Sequence, residues 1–162
     1  MASMDIIVET PRGSGNKYDY DAKKRLFRLH KVLPEGMVFP YDFGFIHGTR
    51  GEDGDPLDAV VVAEFTSFPG CVISCRIAGA ITATQLNENH TRRISNDRYI
   101  AIPEQSVRYG DITEIEDVPE ELLTQLENFF TGYNRGNGKE FRVGKRLGAG
   151  EAVSAAIRSG LQ

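Results

Sequence analysis

The chain has 162 residues, 40% hydrophobic and 26% charged, with a formal net charge of −4, the make-up of one globular domain large enough to bury a core. The acidic balance excludes a general electrostatic grip on nucleic acid or on anionic membranes. No segment approaches the roughly 18 apolar residues of a membrane span and no signal pattern opens the chain, so it reads as a cytoplasmic single domain over 1–162.

Residues 5–9, 17–20 and 26–32 are short runs with strand character, separated by the turn-rich Pro11-Arg12-Gly13-Ser14-Gly15 and by residues 21–25. Residues 57–63 form an apolar run broken only by Asp58, the pattern of a strand buried on both faces. The stretch 71–84 opens after Pro69-Gly70 and holds one long strand or two joined at Gly79; residues 99–102 and 140–143 add two more. Cys71 and Cys75 sit about 13 Å apart by strand rise, too far for a disulfide, whose Cα atoms lie within about 7 Å. Both read as reduced core thiols.

Two helices follow. Pro119 suits a first helical position, and Leu122, Leu123, Leu126, Phe129, Phe130 and Tyr133 repeat with a helical period up to Gly132. The second helix, over 151–161, is expected to bury Ala152, Val153, Ala156 and Ile157. Strands first and helices last is the order of an α+β domain, mainly β, with a barrel-like sheet closed by C-terminal helices. His30, His47 and His90 read as packing or surface residues. Phe27, Phe39, Phe43 and Phe45 read as barrel core in preference to a stacking platform for single strands.

Asp53, Asp55 and Asp58 fall within six residues, with Gly54 permitting a tight turn and Pro56 stiffening it. Like charges held a few ångströms apart raise each other's pKa or demand a cation. An oxygen-only set selects hard ions such as Mg²⁺, Mn²⁺ or Ca²⁺. The plain alternative is a solvated surface turn. An EF-hand calcium loop fits Glu64 at its twelfth position but places Leu57 fifth and Asp58 sixth, where glycine is needed. Gly136-Asn137-Gly138-Lys139 fails as a phosphate-cradling loop, because the first glycine of that loop is missing and Glu140 follows the lysine.

The neighbours of the aspartates extend the pattern. Ile6-Ile7-Val8-Glu9-Thr10-Pro11 and Asn16-Lys17-Tyr18-Asp19-Tyr20-Asp21 precede them, as does Phe39-Pro40-Tyr41-Asp42-Phe43-Gly44-Phe45-Ile46. Ile100-Ala101-Ile102-Pro103 and Phe129-Phe130-Thr131-Gly132-Tyr133 follow. In this order and spacing they resemble the soluble inorganic pyrophosphatases of family I, from Ile6 to about Lys145. The resemblance implies a closed five-stranded OB-like β-barrel flanked by C-terminal helices. It implies hydrolysis of pyrophosphate to two phosphates by metal-activated water, with Mg²⁺ as cofactor and Mn²⁺ as an alternative. Asp53, Asp55, Asp58 and the position of Asn96 correspond to metal ligands, and Asp55 also to the acceptor of the water's proton. Glu9, Lys17, Lys31, Phe43, Arg98, Tyr133 and Lys139 correspond to groups around the substrate. A homo-oligomer, often a hexamer, is implied as well, with no nucleic-acid or membrane partner.

The sequence departs from that family at the chemistry. Gln85-Leu86 replaces an acid pair, an insertion runs through Ser95, and Asn96 stands for an aspartate. Arg98 stands for a lysine, Lys31 for an arginine, Phe39 and Phe43 for tyrosines, and Asn134 for a lysine. Glu52, Glu88 and Asp97 are the carboxylates available as replacements. Three readings follow: a working pyrophosphatase, a weak or redirected phosphoanhydride hydrolase, and a non-catalytic scaffold that binds phosphate ligands or single strands.

Overall fold

Alternation of apolar and polar residues along the chain resolves into paired strands. The computed structural model describes residues 3–135 and 140–160. Strands β1 (Met4–Thr10), β2 (Asn16–Asp21), β3 (Leu26–Val32), β4 (Asp42–Ile46) and β5 (Asp58–Val61) come first. Then come β6 (Val72–Leu86), β7 (Arg93–Ser95), β8 (Arg98–Pro103), helix α1 (Glu120–Asn134), β9 (Arg142–Gly148) and helix α2 (Ala149–Arg158). Strands β1, β4, β5, β8 and β6 are neighbours in that order, and β6 returns to pair with β1. Five strands therefore make the expected OB-like ring. Strands β7 and β9 extend β6, while β2 and β3 form a separate hairpin.

Period two along each ring strand feeds two cores. Ile6, Ile46, Ala59, Ile77 and Tyr99 come from all five ring strands, fill its inside and pack with Ala152 and Ala156 of α2. Their alternates Phe43, Val60, Ile81 and Ile100 face the other way, beneath Leu122, Leu126 and Phe130 of α1. The run 57–63 is thus buried on both faces, although the strand proper covers only Asp58–Val61.

Several expectations shift. The stretch from 71 is one strand of 15 residues, not two. A Cβ at Gly79 would lie 2.4 Å from the Leu147 carbonyl oxygen and 2.9 Å from Ile115 Cβ, so this glycine admits a close neighbour without breaking the strand. Strand β4 was missing from the expected elements, because its five residues are all buried and show no alternation. Pro119 directly precedes α1, which runs on to Asn134. Helix α2 starts at Ala149, and its buried stripe follows Ala149, Ala152 and Ala156. Ile157 lies off that stripe and is 62% exposed, against expectation. Cys75 is buried but Cys71 only half-buried, both with free thiols. Phe27 belongs to the hairpin, tilted against Tyr20 with ring centroids 5.0 Å apart, and not to the ring core.

Glu64 ties down the segment after β8. It accepts from Ser106 Oγ (2.7 Å) and from the N–H groups of Val107 (2.8 Å) and Arg108 (3.1 Å). The Ser106 bond, with the Arg108 and Val107 N–H bonds behind it, holds its carboxyl down to about 2 from an ordinary 4.5. A carboxyl depressed on folding contributes stability that is present above its unfolded value and is lost as pH falls through its folded one. Thermal melts taken from about pH 5 down to about pH 2 are therefore expected to fall less steeply for Glu64→Gln than for the parent chain. Parallel curves would show that Glu64 carries none of the acid sensitivity.

Candidate active site

The aspartate turn is exposed and is held by its own backbone bonds. Gly54 sits at φ +88°, a left-handed conformation that favours glycine. Gly51 N–H donates to the Asp55 carbonyl at 2.7 Å, and Asp55 N–H donates to Asp53 Oδ1 at 3.0 Å. The turn delivers Asp58 to the first residue of β5, which runs parallel to β8 with Asp58 opposite Arg98. Opposite charges thus enter side by side: Arg98 Nη1 lies 3.0 Å from Asp58 Oδ2.

A cavity of about 360 Å³ gathers Asp53, Asp55 and Asp58 with Asn96 and Arg98. Facing them are Lys17, Lys31 and Tyr133, with Phe39, Phe43, Phe130, Gln85, Asn134 and His30 completing the wall, so His30 borders the site instead of only packing or facing solvent. A second cavity of about 530 Å³ shares Lys17, Asp55 and Asp58 with it and is lined by Glu9. Every expected site residue except Lys139 lies on these two joined spaces. Lys139 lies outside the described residues.

Burial sets much of the electrostatics. It pushes Glu9 up to about 7, against the Tyr20 N–H that donates to its Oε2 at 2.8 Å. It raises Asp53 and Asp58 as well. For Lys17 burial works against the charge, but Tyr133, Asp58 and Glu9 outweigh it and hold the ammonium above its ordinary value. Lys31 Nζ sits 4.1 Å from the centre of the Tyr133 ring and Lys17 Nζ 5.6 Å, a shared cation–π contact.

Arg98 is 4% exposed. Its guanidinium lies over Phe130 (5.1 Å), Phe141 (5.2 Å) and Phe43 (5.8 Å). Nη1 also donates to the Asn96 carbonyl at 2.7 Å and to Asn96 Oδ1, while Asn96 Nδ2 donates to Gln85 Oε1 at 2.6 Å. Sequence reasoning treated Gln85 only as a lost acid and did not single out Phe141. Of the substitute carboxylates, Glu52 accepts from Ser95 N–H at 2.7 Å and Asp97 from Ala83 N–H at 3.1 Å. Asp97 faces a neighbouring hollow with Arg50 and Arg158.

Among the described residues no three carboxylates, imidazoles or thiols stand together as a finished metal cage. Asp58 pairs with Arg98, and Asp53 accepts from the Asp55 N–H. The donor chemistry, oxygen alone with cations facing it, nevertheless fits a hard divalent ion.

The family model described as inorganic pyrophosphatase matches residues 6–161. An inorganic pyrophosphatase of Halalkalibacterium halodurans is 34% identical over 141 residues, 87% of this chain and 83% of that one. One from Thermus thermophilus is 37% identical over 128 residues, 79% of this chain and 70% of that one. The crystal structure of inorganic pyrophosphatase from Thermus thermophilus superposes with a TM-score of 0.86 at 31% identity, covering 96% of this chain and 87% of that one. Ring, aspartate turn and cationic wall all fall inside these matches, so the chain belongs to the inorganic pyrophosphatase family of hydrolases.

Proposed function

We propose that this protein hydrolyses pyrophosphate to two phosphates with Mg²⁺ or Mn²⁺, and that Asp55 takes the proton of the attacking water. The observation that carries the reading is the meeting of Asp53, Asp55 and Asp58 with Lys17, Lys31, Arg98 and Tyr133 on one cavity. A bound divalent ion supplies the positive charge that acidifies water and polarises a phosphate oxygen. Asp53, Asp55 and Asp58 offer the oxygens to hold it, and Asn96 Oδ1 keeps one lone pair beyond the bond from Arg98. Asp55 is exposed, and no described donor is bonded to its carboxylate, which leaves that group open to a proton. Lys17, Lys31 and Tyr133 oppose the charge that spreads over the phosphate oxygens as the bond breaks, and Glu9 borders them.

Phosphate release from pyrophosphate, measured with Mg²⁺, with Mn²⁺ and with a chelator, tests this. Release with either metal and only background with chelator is expected; background in all three overturns it. A second reading, a hydrolase redirected to a larger phosphoanhydride, is favoured by one feature. A recess of about 260 Å³ opens from Asp53 and Asp55 past Gln85 to Arg92 of the β6–β7 hairpin. Tripolyphosphate in the same assay separates the two.

The same reading includes a single-domain, cytoplasmic homo-oligomer, often a hexamer at this length. Val32 (69% exposed) and Phe68 (64% exposed) are apolar surface that a partner copy would cover. No described helix is long and apolar enough to cross a membrane. Light scattering at micromolar concentration is expected to give several times the monomer mass, and a monomer mass would count against assembly.

A further inference from the structure

The direction of three hydrogen bonds beside Asp58 decides what kind of group the cavity wall presents. A guanidinium has donors and no acceptor, so Asn96 must turn its amide oxygen to Arg98. That leaves Asn96 Nδ2 aimed at Gln85, 2.6 Å from Oε1. Gln85 therefore shows its oxygen to Asn96, and its own NH₂ is left at the end of the chain. Reversing Gln85 would set two N–H₂ groups against each other at that distance. Gln85 is 5% exposed, lines the cavity that holds Asp53, Lys17 and Tyr133, and no described group accepts from its Nε2. A metal ligand must offer a lone pair; an N–H offers none. Phosphate oxygens offer several.

We propose that Gln85 is a substrate-binding residue: its amide N–H₂, aimed into the cavity by Arg98 through Asn96, donates to a phosphate oxygen of pyrophosphate. The proposal rests on the pyrophosphatase reading and deepens it, because this wall then grips the anion and not a cation. Asn96 becomes a positioning residue. An aspartate there would accept from Arg98 but would have no N–H to pass on to Gln85, so the relay requires asparagine.

Gln85→Glu is the informative variant. It keeps an oxygen for Asn96 Nδ2 and replaces the cavity-facing donor with an anionic acceptor. The probe is methylenediphosphonate, whose bridging carbon resists hydrolysis, titrated calorimetrically at fixed Mg²⁺ alongside Mn²⁺ alone. Loss of one hydrogen bond to a charged oxygen corresponds to roughly a tenfold to hundredfold weaker affinity for the diphosphonate, with Mn²⁺ affinity not reduced. In turnover, KM is expected to rise while kcat holds. Unchanged or tighter diphosphonate binding overturns the proposal, since it would mean that Gln85 faces a cation. Asn96→Asp, which removes the N–H that Gln85 Oε1 accepts from and leaves the Gln85 side chain itself intact, is expected at saturating Mg²⁺ to weaken diphosphonate binding in the same direction; if it tightens binding there, the proposal falls. Should Gln85→Glu fail to fold, judged by its melt, Gln85→Met removes the donor at similar volume and is expected to raise the diphosphonate Kd likewise. A parent chain that neither binds the diphosphonate nor releases phosphate defeats the pyrophosphatase reading itself. An active parent with indifferent variants defeats only the role of Gln85.

Discussion

Asp55→Asn is expected to lower metal-dependent phosphate release by about a thousandfold, within the range that a positioned proton acceptor contributes. The substitution preserves shape. The turn is held by Gly51 N–H to the Asp55 carbonyl and by Asp55 N–H to Asp53 Oδ1, and both bonds use backbone atoms of residue 55 that asparagine retains. The side chain is exposed, so the melting temperature is expected to move little. An amide can still offer an oxygen to a cation but cannot take a proton at neutral pH. The loss should therefore fall on kcat, with a smaller rise in the metal concentration for half activity. A fall of less than tenfold would place the proton acceptor elsewhere.

Arg98→Met is expected to remove activity and, unlike the Asp55 variant, to weaken the fold. Arg98 is almost fully enclosed by three phenyl rings, and its ion pair with Asp58, whose side chain is 25% exposed, is mostly withdrawn from water. Removing one partner of a buried pair leaves the other charge without compensation and costs about 3–5 kcal/mol. Methionine is unbranched and apolar, so it fills the phenyl cage and isolates the electrostatic loss from a packing loss. Chemical denaturation reads the effect. The double variant Arg98→Met with Asp58→Leu is expected to recover much of that stability, because both charges leave together, yet to stay inactive. If the double variant is no more stable than the single one, the pair is not what holds this corner.

The aspartate turn was legible in the sequence because its chemistry is local: three carboxylates, a glycine and a proline within six residues define both the bend and the ion it suits. The run 57–63 and the leucine period of α1 were legible for the same reason. Strand β4 was not, since its glycine answers to a distant neighbour. A Cβ on Gly44 would fall 2.0 Å from the Ile7 carbonyl oxygen across the sheet, a requirement that no local pattern announces. Within the site, the sequence showed that Gln85 and Asn96 lack charge, but not what neutrality allows. That depends on which way two amides point, and a guanidinium brought in by another strand decides it. Phe141 was overlooked because it follows a glycine-rich stretch and acts only through its ring over Arg98.

The parallel pairing of β5 with β8 also governs when the site comes into being. The other strand pairs of the ring are antiparallel, whereas Asp58 and Arg98 are separated in the chain by the whole of β6 and β7. Their encounter is non-local, and it must absorb loop-closure entropy before any contact rewards it. The β2–β3 hairpin, joined by a short turn, is free to form early. Until β8 slots against β5, Asp58 and Arg98 each keep their water, and the aspartates face only the lysines of the hairpin. A refolding chain is therefore expected to split a phosphoanhydride only once β8 has paired with β5, however much strand signal it has regained before.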